Sequence, residues 1–381
     1  MISRRAVALP VPLLPELLAA APGDGVVDLA LGIPPSGPDP GLLAAAVAAL
    51  HDGPHQYTDP AGLPALRAAV AADLTRERGV PIDPGRELTI TSGATEAVAA
   101  ALLGVTDPGD EVLVPDPAFE NHPGAVVIAG AVPRPVPLSG PGWRLDPGVL
   151  ATACTDRTRA ILLNTPHNPT GRSFTRDEVS AVLRLCAERD MVCVTDEVYR
   201  RYTFDGREHV SPLGLAAPHE HAVVCGSFSK VRGISGWRLG YAVAGERLTE
   251  ALRRVHTRLT LGTATPLQRA LAAAGPGGEP CGSRESAARR TQLAAGLTEI
   301  GLRVAEPEGG WFLMAEVSGL GWAADELAGK LAVEAGLLVV PGTVFFTDPA
   351  EGRRWLRFSL VRDEATTAEG LRRLRHFLLG P

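Results

Sequence analysis

Between residues 61 and 245 short apolar, β-branched runs alternate with longer stretches of helical periodicity. Residues 63–77 carry apolar positions at helical spacing, and 87–91 form a strand-like run leading into Ser92-Gly93-Ala94-Thr95 and a helix at 96–103. Residues 111–114 and 132–136 read as strands with a helix around 126–128 between them. The runs 160–163, 192–195 and 222–225 are almost continuously apolar, and each ends in polar or turn residues. A helix is predicted over 175–189, with Asp177 and Glu178 in its first turn, where the helix dipole favours carboxylates. Strands apolar on both faces, separated by helices, predict an α/β fold with a mainly parallel sheet sandwiched by helices. Ligands in such sheets lie off the carboxyl ends of the strands.

The stretch Gly275-Pro276-Gly277-Gly278-Glu279-Pro280 is the clearest break in composition. After it a helical pattern at 284–300, strand-like segments and a terminal helix at 365–379 predict a smaller α+β domain over 276–381. Residues 46–275 form the expected large domain, and the proline-rich residues 1–45 are expected to be an arm that packs in part with the small one.

Composition narrows the class without naming a function. Hydrophobic residues make up 45% and charged residues 21% of the 381, as in soluble globular proteins. The net charge of −6 and the lack of a basic block argue against nucleic acid as a partner. No apolar run reaches the roughly 18 residues that span a membrane. Arg4-Arg5 and the apolar residues after it resemble a signal peptide, but Pro10, Pro12, Pro15 and Glu16 interrupt the run. The five cysteines are scattered and form no CxxC, so neither a disulfide framework nor a metal site is expected, and the cytoplasm is the expected compartment.

One count changes the picture. Of 37 basic residues only Lys230 and Lys330 are lysines. Where arginine serves for every ordinary positive charge, a retained lysine is a candidate for chemistry that arginine cannot perform, such as imine formation with a carbonyl. Lys330 lies in an ordinary helical pattern, whereas Lys230 lies in the Gly- and Ser-rich loop 226–241.

Four further segments carry polar groups at strand ends. The turn at Ser92-Gly93-Ala94-Thr95 exposes backbone N–H groups at a helix start, either as a phosphate cradle or as a simple cap. Asn164-Thr165-Pro166-His167-Asn168-Pro169-Thr170-Gly171 makes a rigid loop with a fixed display of amides. Asp196-Glu197-Val198-Tyr199 puts a carboxylate at the end of a buried strand, which needs a cationic partner unless Asp196 is a helix cap. Ser227, Lys230 and Arg238 combine a hydroxyl, an amine and a guanidinium, a set suited to a phosphorylated aldehyde. Arg357 stands in an apolar strand, either in a structural ion pair or free to grip a carboxylate bidentately.

Together, from residue 28 to Arg357, these segments resemble the fold-type I, pyridoxal-phosphate-dependent class I/II aminotransferases, in particular the kynurenine, methionine and aspartate branches. The resemblance implies a seven-stranded-type large domain, a smaller α+β domain and a homodimer with shared active sites. It implies that Lys230 holds pyridoxal 5'-phosphate as an internal aldimine and moves the Cα proton, and that Asp196 pairs with the ring nitrogen. By the same likeness Tyr199 and Asn168 donate to the ring oxygen, Phe119 stacks on the ring and His122 supports Asp196. Ala94, Thr95, Ser227 and Arg238 would bind the phosphate, with Tyr57 reaching the phosphate of the neighbouring subunit. Arg357 would grip the substrate α-carboxylate, with Gly32 lining the site. Residues 116–122 are similar to the aspartate branch, and residues 340–345 and 265–268 to the kynurenine and methionine branches, so the side chain of the amino-acid substrate stays open.

Transfer of an amino group from an L-amino acid to a 2-oxo acid is therefore the expected reaction. The alternative is a lyase or an oxidase/hydroxylase acting on an amino acid, because the same residues can serve other fates of the Cα carbanion. A non-enzymatic effector domain is a third reading, disfavoured because no helix-turn-helix precedes the motifs.

Overall fold

The computed structural model describes residues 1–9, 19, 25–33, 37–215, 220–278 and 280–380. Pro10, Pro12, Pro15, Glu16, Pro34 and Glu279 lie outside the described residues. A short strand, β1 (Val27–Asp28), precedes seven strands of one sheet: β2 (Leu88–Thr91), β3 (Glu111–Asp116), β4 (Val132–Pro137), β5 (Thr158–Asn164), β6 (Val192–Asp196), β7 (Ala222–Ser227) and β8 (Gly240–Ala244). Their order is β2-β8-β7-β6-β5-β3-β4, and β8 alone runs against its neighbours. The expected α/β class with a mainly parallel sheet holds. The central strands β5, β6 and β7 are buried almost throughout, as their unbroken apolar runs require. The proline-bearing β4 lies at the sheet edge, where a missing N–H costs no ladder bond.

A second sheet comprises β9 (Arg303–Ala305), β10 (Phe312–Glu316), β12 (Val340–Pro341) and β13 (Trp355–Ser359) in the antiparallel order β12-β13-β10-β9, with β11 (Leu337–Leu338) between β10 and β12 in the chain. Helices Ser283–Glu299 and Glu364–Leu379 pack on each other beside it around a separate core that includes Leu297, Leu313 and Phe358. The described part of the expected N-terminal arm makes two separate attachments. β1 pairs in parallel with β11, whereas the helix Pro40–Asp52 packs on the helix Thr265–Ala274 beside the large sheet.

Two helix starts matter for the site. The helix expected from residue 96 begins at Gly93 and runs to Val105, because the Glu96 carboxylate reaches back to accept from Ser92 N–H at 3.0 Å. The turn residues thus become the first helical turn. The helix Arg176–Glu188 is closed by a capping box in which Thr175 and Glu178 exchange side-chain and backbone hydrogen bonds.

Register brings the strand ends together. Thr91, Gly240 and Ser227 occupy one row across β2, β8 and β7; Asn164, Asp196 and Cys225 occupy another across β5, β6 and β7. Gly240 has no room for a side chain: a Cβ would lie 2.6 Å from Gly93 C, 2.7 Å from Gly226 O and 2.8 Å from Ala94 N. These are backbone atoms that cannot step aside. Gly240→Ala is expected to lower stability in urea unfolding by about 1–3 kcal/mol or more, whereas alanine at Gly214, which has open space around it, leaves the transition within about 1 kcal/mol of its original stability.

Candidate active site

The strand ends open into a cavity of about 340 Å³ between the two sheets. Its lining includes Gly32, Ala94, Thr95, Phe119, His122, Asn168, Asp196, Tyr199, Ser227, Lys230, Arg238 and Arg357, so every candidate residue but Tyr57 meets in one place. Tyr57 lies on the surface with 82% of its area exposed and does not line the cavity.

Lys230 follows β7 in the four-residue helix Phe228–Val231, held by the Ser227 hydroxyl accepting from Ser229 N–H. Its Nζ donates to Gly32 O at 2.9 Å, although the two residues are 198 apart in the chain. Burial draws its amine down to about 8; Arg238 and Arg357 act in the same direction and Asp196 against it. A lysine in that range exchanges its proton near neutral pH, as an ordinary one does not.

Asp196 ends β6 with its Oδ2 3.1 Å from His122 Nε2 and its Oδ1 accepting from Val198 N–H. No α-helix begins at Asp196, so the helix-cap reading of that residue fails. Asn164 braces the neighbourhood, its Nδ2 donating to Asp196 O and its Oδ1 accepting from Asn168 N–H. Burial pushes the Tyr199 phenol well above its usual range, keeping it a hydrogen-bond donor. His167, beside Asn168, bonds Thr170 Oγ1 and is kept neutral by burial, its pKa drawn down to about 3. It does not line the cavity.

Arg238 approaches the start of the helix Gly93–Val105 so closely that a Cβ on Gly93 would stand 2.5 Å from its NH2. Its own φ of 52° is in the left-handed region, an uncommon place for a residue with a side chain. With Ser227, Ser229 and the first backbone N–H groups of the helix, it forms a donor set that suits a phosphate.

Arg357, on β13, is buried between Phe312 and Phe345, whose ring centroids lie 3.9 and 4.7 Å from its Cζ. Its NH1 donates to Asn168 Oδ1 and its NH2 to Ala30 O, both at 2.9 Å. Both acceptors are neutral, and Nε has no hydrogen-bond partner among the described residues. Burial lowers this guanidinium to about 10. The ion-pair reading of Arg357 is not the one observed. Among the described lining residues the only Lys and Arg side chains are Lys230, Arg238 and Arg357.

Sequence reasoning missed Ser229, Phe312 and Phe345. Ser229 was legible as a second hydroxyl beside Lys230. The two phenylalanines carried no signal, since an aromatic residue in or near a strand reads as core.

A sequence model described as "Aminotransferase class I and II" matches residues 24–374. Kynurenine–oxoglutarate transaminase 1 of Homo sapiens is 31% identical over 389 residues, covering 92% of each chain. The methionine aminotransferase of Escherichia coli is 32% identical over 327 residues, covering 85% of this chain and 84% of its own. The solved structure of N-succinyldiaminopimelate aminotransferase from Mycobacterium tuberculosis superposes with a TM-score of 0.92 at 33% identity, covering 98% of this chain and 99% of that one. Each of these relatives is an aminotransferase, which favours amino-group transfer over the lyase and oxidase readings. The chain belongs to the class I and II aminotransferases, pyridoxal-phosphate-dependent enzymes that transfer amino groups.

Proposed function

We propose that the cavity binds pyridoxal 5'-phosphate and an L-amino acid with an uncharged side chain, and that its residues act as follows. The observation that carries this reading is the convergence of a buried Lys230 with Arg357, whose charge meets only neutral acceptors. A buried guanidinium in that state is completed by a carboxylate.

The donor set fits the cofactor. Arg238, Ser227 and the N–H groups of Ala94 and Thr95 hold the phosphate, and Asp196, steadied by His122, holds the proton on the ring nitrogen. Tyr199 and Asn168 donate to the ring oxygen, and Phe119 offers a stacking face. When bound, the cofactor supplies an electron sink for charge left on the substrate Cα. Arg357 grips the α-carboxylate and so fixes which Cα substituent faces Lys230. The Lys230 amine takes the proton from Cα and holds it for return, a task suited to a group near pH 8. Leu31, Ile33, Phe312 and Phe345 give the cavity apolar wall, and among the described lining residues no guanidinium besides Arg238 and Arg357 is present for a second carboxylate.

The functional unit in this reading is a homodimer. The helix Pro40–Asp52 leaves Leu43, Val47 and Leu50 more than half exposed on successive turns, an apolar stripe of the kind that a second copy covers. Tyr57 stands beyond the end of that helix, free to enter the neighbour's site as the family resemblance implies. The scattered cysteines suit the cytoplasm as the compartment.

Three outcomes are expected. Purified protein with added cofactor should show a visible band that an amino acid bleaches, and Lys230→Ala or Lys230→Arg should lose turnover by several orders of magnitude; activity surviving in either would remove Lys230 from its role. Arg357→Leu should raise KM for methionine roughly 10- to 100-fold with a smaller change in kcat, and aspartate used as well as methionine by the unaltered enzyme would refute the uncharged-donor reading. In light scattering coupled to size exclusion, Val47→Asp should shift the protein from dimer towards monomer, and a monomeric unaltered chain would overturn the dimer.

A further inference from the structure

Trp311 lies at the entry to β10 with 1% of its area exposed, so it reads at first as core. Its ring, however, faces the amine of Lys230, whose Nζ lies over it 4.8 Å from the centroid. Two tyrosine rings pack against the indole: Tyr202 edge-on at 5.1 Å and Tyr199 tilted at 5.7 Å. The Tyr202 hydroxyl in turn lies 2.9 Å from Lys230 O and 3.0 Å from Cys281 O, fixing the lysine backbone to the same cluster. Lysine and indole thus belong to one rigid unit, and their spacing is set by packing.

We propose that Trp311 is a positioning residue for Lys230: its indole face, together with the Gly32 carbonyl, holds the side-chain amine in place and favours its protonated form. This rests on the reading of Lys230 as the group that moves the substrate proton. An aromatic face attracts an ammonium but not a neutral amine, and it does so most strongly where water is excluded. The other groups that face Lys230 act by charge. Asp196 at the end of β6, paired with His122 of the helix Asn121–Ile128, favours the ammonium, while Arg238 from the turn before β8 and Arg357 from β13 oppose it; Tyr199 is held neutral by burial. Neither the two arginines nor burial can be spared for the phosphate and carboxylate, so Trp311 and Gly32 counter them without adding a charge.

With only two lysines in the chain the proposal can be tested at a single residue. Full-length protein freed of cofactor is pulse-labelled with an amine-selective acylating reagent from about pH 6 to 11, and the peptides bearing Lys230 and Lys330 are quantified by mass spectrometry. In the unaltered chain the Lys230 midpoint is expected below the usual lysine range, because the amine is buried. Trp311→Leu should move it down by roughly one pH unit and Trp311→Phe, which keeps a weaker aromatic face, by roughly half as much. If Trp311 were only an apolar wall, a smaller residue would admit water and the midpoint would rise. A raised or unchanged midpoint overturns the proposal. Circular dichroism reports whether each variant is folded; if the leucine variant is not, the phenylalanine variant decides by the same criterion. Since the labelling involves neither cofactor nor substrate, a failure of the transamination reading leaves this measurement standing.

Discussion

A carboxylate at the end of a buried central strand must be surrounded by donors before anything else near it can be placed. Asp196 is that carboxylate, and the structure around it follows from the need. His122 reaches it from the helix Asn121–Ile128, and the turn into that helix is closed by His122 N–H donating to Phe119 O at 2.8 Å. Phe119 therefore arrives over the cavity as part of the same brace, edge to face with His122. Asn164, one strand over and in register with Asp196, holds the Asp196 carbonyl with one end of its amide and the Asn168 N–H with the other. Asn168 then orients Arg357. These contacts tie the aromatic face, the amide loop and Arg357 to Asp196 in sequence.

The other wall of the cavity comes from the second sheet, and arginines bind it to residues 28–33. Arg362 donates to the carbonyls of Asp28 and Ile33 and pairs with the Asp28 carboxylate; Ser359 donates to Leu31 O and Arg357 to Ala30 O. The carbonyls of this short stretch are taken by these side chains and by Ser359 N–H, which bonds Leu29 O, and Gly32 O is presented to Lys230 at a fixed distance. Ala118 N–H donating to Phe345 O ties the loop after β3 to the opposite wall. Lys230 and Arg357 are therefore referenced to the same six residues, and a shift of the segment would move the partners of both.

Much of this was legible in the sequence, for identifiable reasons. The buried strands β5, β6 and β7 show themselves because parallel strands covered on both faces must be apolar at every position. Their polar ends stand out against those runs, so Asn168, Asp196 and Lys230 could be named before any geometry. The reversed direction of β8 could not, because an apolar run carries no sign of which way it points. The start of the helix Gly93–Val105 was read late because Glu96 looks like a first residue while acting as a cap for the turn before it. Phe312, Phe345 and Trp311 were silent for a different reason: an aromatic side chain that cages a cation has the same composition as one that fills a core.

The scarcity of lysine sharpens into a statement about medium. Both lysines lie over an indole ring, Lys230 over Trp311 at 4.8 Å and Lys330 over Trp322 at 5.7 Å. Lys330 also pairs with Glu334 at 3.7 Å, but its side chain is 42% exposed, and water screens both contacts. An arginine would serve there as well. At Lys230 burial strips the water away, so an indole ring, a carboxylate and two guanidinium groups all act on the amine with little screening. Arginine in that setting would stay protonated whatever surrounded it. Only a lysine converts those neighbours into control over a proton, and that, more than rarity, separates Lys230 from every other cation in the chain.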